Sequence, residues 1–205
     1  MSPDSDAPPT ADERHPALGP AQLKALAHPL RIQILDLLST HGSLTASGLA
    51  DLVGESSGST SYHLRQLARH GFVREVAGKG TARERWWERV PGGFTVSLDD
   101  EDGDTASSLA GTMVSREFEA ARARKIQVFL DRAPSELSER WLDGARLTTA
   151  SMWLTAEQMV EVADAWDAFD ATLRRFEGQE SLPGARPVQI HFNVFPTIDG
   201  KENPS

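Results

Sequence analysis

The segment of residues 56–71 constrains the fold of this chain more than any other. At 3.6 residues per turn, one side of a helix built from it carries Thr60, Leu64, Leu67 and Gly71. The other side is polar and basic and has no acidic residue; it holds Gly58, Ser61, Tyr62, Arg65 and Arg69. The first side predicts packing on a core. The second suits a DNA major groove, because phosphates attract cations and base edges pair with donors and acceptors. We therefore predict a DNA recognition helix.

The net charge of the chain is −9, which opposes DNA binding only if it is spread evenly. Residues 20–96 hold nine Lys and Arg against six Asp and Glu, a balance of +3, so the rest of the chain carries −12. Affinity for phosphate follows the local charge, so the total does not exclude a nucleic-acid partner.

Composition excludes several other classes of protein. The chain has 205 residues and no cysteine, so it can form neither disulfides nor thiolate metal sites. It has no apolar run long enough to span a membrane, and residues 1–16 are acidic and rich in proline, unlike a secretory signal. We expect an intracellular, cytoplasmic protein with no membrane partner.

The segments around residues 56–71 predict a winged helix-turn-helix. Apolar spacing and proline positions predict short helices from Pro20, over 29–40 and over 46–53, the last capped by Thr45. The turn 54–57 joins that helix to the recognition helix, with Ser56 or Ser57 as its cap. Residues 72–76 and 83–88 predict two strands joined by a basic, flexible tip at 77–82. Trp86 and Trp87 are expected to cover the core rather than to contact DNA.

These residues carry a resemblance to a known family. Leu26-Ala27-His28-Pro29-Leu30-Arg31, Ser61-Tyr62-His63-Leu64 and Gly71-Phe72-Val73 resemble the ArsR-type winged helix-turn-helix of bacterial repressors, over about residues 23–87. The resemblance implies that the helix starting near Gly58 enters the major groove and that the first helix and a C-terminal helix form a homodimer. The founding members sense metals through cysteines, which this chain lacks, so the resemblance does not imply an arsenic or zinc sensor.

The C-terminal half is expected to follow an acidic linker. We assign residues 1–18 to a disordered tail, 19–96 to the winged domain, 97–104 to the linker, 105–198 to a dimerisation or effector region and 199–205 to a second tail. The linker lacks the calcium-binding spacing of an EF-hand.

A long amphipathic helix is predicted over 105–132, a short one from Pro134 to Gly144, and another from a Thr155–Gln158 capping box to Gly178. Strands are predicted over 146–154 and 188–194. The fold class is therefore mainly α with small β: a winged helix-turn-helix, a long helix and a small C-terminal α+β region.

The predicted function is sequence-specific binding of double-stranded DNA at a pseudo-palindromic operator, by a homodimeric, ArsR-like repressor. Ser61, Tyr62 and Arg65 would contact bases, and the wing would lie on the backbone or in the minor groove. The predicted phosphate contacts are Ser57, Arg69, Lys79 and Arg83; Gly58 lies on the same DNA-binding face, and His63 either touches phosphate or packs beside the turn.

Other functions have weaker support in the sequence. It has no nucleophile elbow or phosphate-binding loop, and so predicts no enzyme and no cofactor. No histidine pair has metal-ligand spacing, although a site shared across a dimer stays open. Two alternatives remain: a winged-helix protein-interaction module, and a sensor whose C-terminal pocket binds an unidentified small-molecule effector. Trp141, Trp153 and Trp166 would line that pocket.

Overall fold

The structure is a computed structural model that describes residues 17–81, 84–96, 105–176, 179 and 182–200. Most of the predicted N-terminal tail, part of the wing tip, the acidic linker and the last five residues lie outside this range. The chain divides into two compact units, Asp12–Ala145 and a second that includes Arg146–Ser205.

The first unit contains the predicted helices and hairpin, together with one short strand that was not predicted. It contains, in chain order, α1 (Pro20–Leu26), α2 (Pro29–His41), β1 (Leu44–Thr45), α3 (Ala46–Val53), α4 (Ser57–Arg69), β2 (Val73–Thr81), β3 (Glu84–Arg89), α5 (Thr105–Glu136) and α6 (Glu139–Gly144). The strands form an antiparallel sheet in the order β1-β3-β2. The mainly α fold with small β, a winged helix-turn-helix, is thus confirmed.

Local hydrogen bonds set the ends of the two helices in the helix-turn-helix. The Thr45 hydroxyl accepts from the Gly48 amide (3.0 Å) and the Ser56 hydroxyl from the Ser59 amide (3.1 Å), so each begins with a side-chain cap. At the end of α4, the Phe72 amide donates to the Leu67 carbonyl (3.0 Å). Gly71, at φ +77°, permits this reversal, because the left-handed conformation costs glycine little.

One apolar core joins the helices, the sheet and the long helix α5. The side chains of Leu26, Ile34, Leu49, Leu64 and Leu67 are fully buried, and Trp87 of β3 joins them as predicted. α5 adds Ala110 and Val114 to the same core, so its first turns belong to the winged domain. Full burial of each large aliphatic side chain contributes about 1.5–3 kcal/mol, which makes this core the main support of α4.

The wing differs from its sequence prediction. Strand β2 continues to Thr81, although residues 77–81 were assigned to a flexible tip. A register shift between Glu75 and Gly80 lets the glycine-rich stretch stay paired with β3, an irregularity that apolar alternation does not reveal. Residues 44–45, predicted only as an extended link, form a third strand opposite Trp86 and Trp87. Trp86 itself is half-buried beneath Lys79 rather than part of the core.

The long helix also differs, at its C-terminal end. We predicted a break before Pro134, but α5 continues through it to Glu136. Pro134 is exposed, as is Leu130, whose carbonyl loses its amide partner there, and a bidentate pair from Arg132 to Glu136 (2.7 and 2.9 Å) spans the same turn. The short helix α6 therefore starts at Glu139 instead of Pro134, and ends at Gly144 as predicted.

The second unit contains α7 (Ala156–Leu173) and a 3₁₀ turn, Arg174–Phe176. Its predicted capping box is present: the Thr155 amide donates to Gln158 Oε1 (3.0 Å), and the Gln158 amide donates to Thr155 Oγ1 (3.3 Å). The strands predicted over 146–154 and 188–194 are wrong, since those residues have no regular structure. Alternation predicts a two-faced segment, but a strand also needs a neighbouring backbone to pair with.

Within the part of the chain that the structure describes, none of the helices combines the length and the apolar character needed to cross a bilayer.

Gly80 provides a test of the wing. It has φ +91°, and a Cβ there would lie 2.7 Å from Trp86 Cδ1 and overlap the Glu84 carbonyl oxygen. Gly78 has φ +73° with open space around it. In urea unfolding, we expect Gly78→Ala to cost about 1–2 kcal/mol for its backbone conformation. Gly80→Ala should cost about 1–3 kcal/mol more, because its methyl group would also clash with the Trp86 ring and the Glu84 carbonyl oxygen. Equal losses in the two variants would contradict the described wing.

Candidate nucleic-acid interface

Helix α4 presents two different faces, as the sequence predicted. Thr60, Leu64 and Leu67 are fully buried against the core. On the opposite side, Arg65 and Arg69 are exposed, and the Tyr62 side chain is 50% exposed. Ser61 is half-buried, while Ser57 and Gly58 are exposed at the N-terminus of the helix. The structure therefore brings six predicted site residues onto one accessible strip, which we call the outer strip: Ser57, Gly58, Ser61, Tyr62, Arg65 and Arg69.

A buried hydroxyl fixes the angle between the two helices of the motif. Thr60 Oγ1 lies 2.7 Å from the Ala46 carbonyl oxygen, to which it donates its single proton. That carbonyl belongs to the first turn of α3, so the bond joins the N-terminal ends of α3 and α4. The sequence placed Thr60 on the inner face but gave no sign of this partner.

A polar groove of about 340 Å³ lies beside the outer strip, between α4 and strand β3. Four hydroxyl side chains line it (Thr45, Ser47, Ser57 and Ser61), together with Arg65 and Arg85, and Glu84 adds one opposing charge. Ser47 and Arg85 were not predicted as site residues. Arg85 alternates with the core residue Trp87 and was counted only as a strand residue. It also lies 3.5 Å from Glu75 on β2.

The wing carries the predicted phosphate contact Lys79 on strand β2. Lys79 is exposed, and its Nζ donates to Ser43 Oγ (2.5 Å) and lies 4.1 Å from the centre of the Trp86 ring. These contacts hold the flexible lysine stem across the sheet while the ammonium stays accessible. Arg83, the other predicted wing contact, lies outside the described residues.

His63 requires a correction. It is only 7% exposed, and its Nδ1 accepts from Arg31 Nε (3.3 Å) beneath the outer strip. Its ring also lies against that of His28, with centroids 4.5 Å apart. Burial lowers the pKa of His63, and the neighbouring His28 and Arg31 lower it further, against a smaller opposing effect of Glu55. His63 is therefore a neutral packing residue, and we withdraw the phosphate contact that the sequence suggested.

Two of the tryptophans predicted to line an effector pocket, Trp153 and Trp166, lie in the second unit. Trp153 is 77% exposed and Met152 is also exposed, while Trp166 stacks on Phe192 with ring centroids 5.0 Å apart. Among the described residues, no three His, Cys, Asp or Glu side chains come together as metal ligands would.

Comparison with known proteins supports the class of fold. A family model described as a helix-turn-helix domain matches residues 26–76, from the end of α1 into β2. Together with the three-stranded sheet, this match defines a winged helix-turn-helix. No curated protein matches the chain.

Several solved structures are similar to this chain at low identity. Reduced HlyU from Vibrio cholerae is 23% identical over 47% of this chain and 83% of that one, with a TM-score of 0.30. YusO from Bacillus subtilis is 16% identical over 76% and 79%, with a TM-score of 0.33. The adhesin competence repressor AdcR from Streptococcus pyogenes is 17% identical over 73% and 81%, with a TM-score of 0.31. TM-scores this low carry no argument about function.

The Thr60 hydroxyl can be tested by substitution. Thr60→Val keeps the shape of the side chain but removes the hydroxyl that donates to the Ala46 carbonyl, which should cost about 1–3 kcal/mol of unfolding free energy. Thr60→Ser retains the hydroxyl and loses only a methyl group, about 0.8 kcal/mol of burial. The two variants are compared by urea unfolding. A Val variant as stable as the wild type would show that this bond does not fix α4.

Proposed function

We propose that this protein is a sequence-specific DNA-binding transcriptional regulator that inserts α4 into the major groove. The observation that carries the proposal is the division of α4 into a fully buried apolar face and an accessible strip of hydroxyl, phenol and guanidinium groups. A major groove about 12 Å wide accepts a helix of this kind, and its base edges offer the matching donors and acceptors.

The groups on this surface fall into two roles. Ser61, Tyr62 and Arg65 lie along the middle of α4 and would contact base edges; an arginine can pair with both acceptors of a guanine. The phosphate contacts would come from the periphery: Ser57 at the helix start, Arg69 at its end, and Lys79 and Arg83 on the wing. Ser47 and Arg85 extend this set, because both line the polar groove next to Ser57 and Arg65.

We further propose that the protein acts as a homodimeric, ArsR-like repressor, with α5 in the dimer interface. Ala110 and Val114 anchor α5 to the winged domain, while Leu109 and Met113, each 62% exposed, project from another side of the same turns. A second copy packed on these side chains would remove them from water and would link the two recognition helices rigidly. The resemblance to ArsR-type proteins supports repression as the outcome of binding.

Selection from random-sequence duplexes tests the proposal directly. Purified protein is mixed with the duplex pool, and the retained molecules are sequenced over several rounds. We expect an enriched pseudo-palindrome whose half-sites lie about one helical turn, ~34–36 Å, or a multiple of it apart. No enrichment, together with binding of a protein partner by the same surface, would favour a protein-interaction module instead.

Two substitutions separate base contact from phosphate contact. Arg65→Ala should cost about 1–3 kcal/mol of binding to the selected operator and relax the preference at one base position. Lys79→Ala should weaken binding to all sequences alike and reduce the salt slope by about one. Both are measured by fluorescence anisotropy on operator and scrambled duplexes over a range of salt concentrations. Unchanged binding in both variants would remove this assignment of the surface.

The α5 interface makes a separate prediction. The double variant Leu109→Glu, Met113→Glu should shift the protein toward a monomer in light scattering after gel filtration, because burying two carboxylates without partners is costly. The double variant Leu109→Met, Met113→Leu keeps the apolar area and should stay dimeric. If the wild type is a monomer, or if both double variants remain dimers, α5 is not the interface.

A further inference from the structure

A cluster of aromatic and cationic side chains lies directly beneath the outer strip. The Tyr62 ring packs edge-on against the His63 ring, with centroids 5.3 Å apart and planes 77° apart. His63 in turn packs on His28, which caps α2 by accepting from the Leu30 amide (3.2 Å) at Nδ1. Half of the Tyr62 side chain is exposed, and its contact with the His63 ring restricts its direction on the helix surface.

Hydrogen bonding fixes the protonation state of His63. Arg31 Nε is a donor only, so His63 Nδ1 accepts its proton at 3.3 Å, and the ring is neutral with its own proton on Nε2. The guanidinium is held in place, because Arg31 Nη1 also donates to the Ala25 carbonyl (2.6 Å). Arg31 thus ties together the end of α1, the start of α2 and the middle of α4.

The charges around His63 oppose a second proton. Arg31 from α2 and His28 from the link before α2 both disfavour a charged His63, and only Glu55, from the turn before α4, favours one. Tyr62 offers the His63 ring an aromatic edge contact. A proton added at Nδ1 would point at the Arg31 Nε–H, so the hydrogen bond would break and the ring would turn away.

We propose that neutral His63 is a positioning residue that sets the orientation of Tyr62 for base contact, so that DNA recognition is lost when His63 is protonated. This inference rests on the proposed function, in which Tyr62 is a base-contacting residue. It assigns to His63 an indirect role in specificity in place of the direct phosphate contact excluded above. The histidine holds the ring that contacts DNA and does not contact DNA itself.

The expected direction follows from the linkage between proton binding and structure. Because the pKa of His63 is lowered in the folded protein, the ordered arrangement is complete above the ordinary histidine value of about 6.5 and is lost progressively as the pH falls below it. General electrostatic attraction would change the DNA affinity in the opposite direction, because protonated histidines add positive charge and strengthen binding to phosphate. Weaker specific binding at acidic pH therefore distinguishes positioning from general charge.

The first experiment follows Tyr62 in the protein without DNA. Tyr62 is the only tyrosine, so protein labelled with ¹³C at the tyrosine ε positions gives a single ring signal. We expect this signal to shift between pH 7.5 and 5. His63→Asn keeps an acceptor near the Nδ1 position and removes the titration, so its signal should stay constant. His41→Gln, which replaces an exposed histidine at the end of α2, should titrate like the wild type.

The second experiment measures affinity for the selected operator over the same pH range. For the wild type and His41→Gln, the ratio of the affinity for the operator to that for a scrambled duplex should fall about three- to tenfold between pH 7.5 and 5.5. His63→Asn should bind more weakly than the wild type at pH 7.5 and show a flat ratio. Identical pH profiles for the wild type and His63→Asn would overturn the inference.

The two experiments fail independently of the proposed function. A Tyr62 signal that does not titrate, or that titrates equally in His63→Asn, overturns the positioning role even if the protein binds its operator well. If no duplex is selected at any pH, the proposed function is wrong, and so is the claim that DNA binding depends on His63. The pH dependence of the Tyr62 signal still tests whether His63 orients Tyr62.

Discussion

The attachment of α4 to the core is the interaction on which the rest of the structure depends. Leu64 and Leu67 supply buried apolar area, and the Thr60 hydroxyl adds a directional bond to the first turn of α3. The buried leucines turn the apolar face of α4 toward the core, and the contact of Thr60 Oγ1 with the Ala46 carbonyl oxygen (2.7 Å) ties that face to the start of α3. Together they set the rotation of α4, which determines which side chains reach solvent and so the composition of the outer strip.

The same core carries the long helix, which connects the winged domain to the proposed second copy. Val114 is fully buried among residues of the winged domain, and Lys125 forms an ion pair with Asp36 of α2 further along α5. These two contacts, about three helical turns apart, leave α5 little freedom to swing. A dimer formed through α5 would therefore hold its two recognition helices at a fixed spacing, as a two-fold operator requires.

Features of local origin were predictable from the sequence. The two faces of α4 follow from its 3.6-residue period, and the caps at Thr45 and Ser56 follow from hydroxyl side chains placed before helical segments. Features that depend on distant neighbours were not predictable. The residues near His63 in the sequence do not indicate that Arg31 is its hydrogen-bond partner. The glycine-rich stretch before Thr81 stays paired with β3 only because the pairing contains a register shift. The alternation over 188–194 predicted a strand, yet pairing requires a second segment that the alternation does not specify.

The central claim is that the outer strip of α4 enters the major groove, and guanine methylation tests it most directly. Dimethyl sulfate methylates guanine at N7, in the major groove, and adenine at N3, in the minor groove. The selected operator is partly methylated and then mixed with the protein. The DNA molecules that fail to bind are separated, and their methylated positions are determined. The account predicts interference from N7 methylation at guanines in both half-sites, clustered on one face of the duplex. Interference from adenine N3 alone, or from neither position, would contradict it.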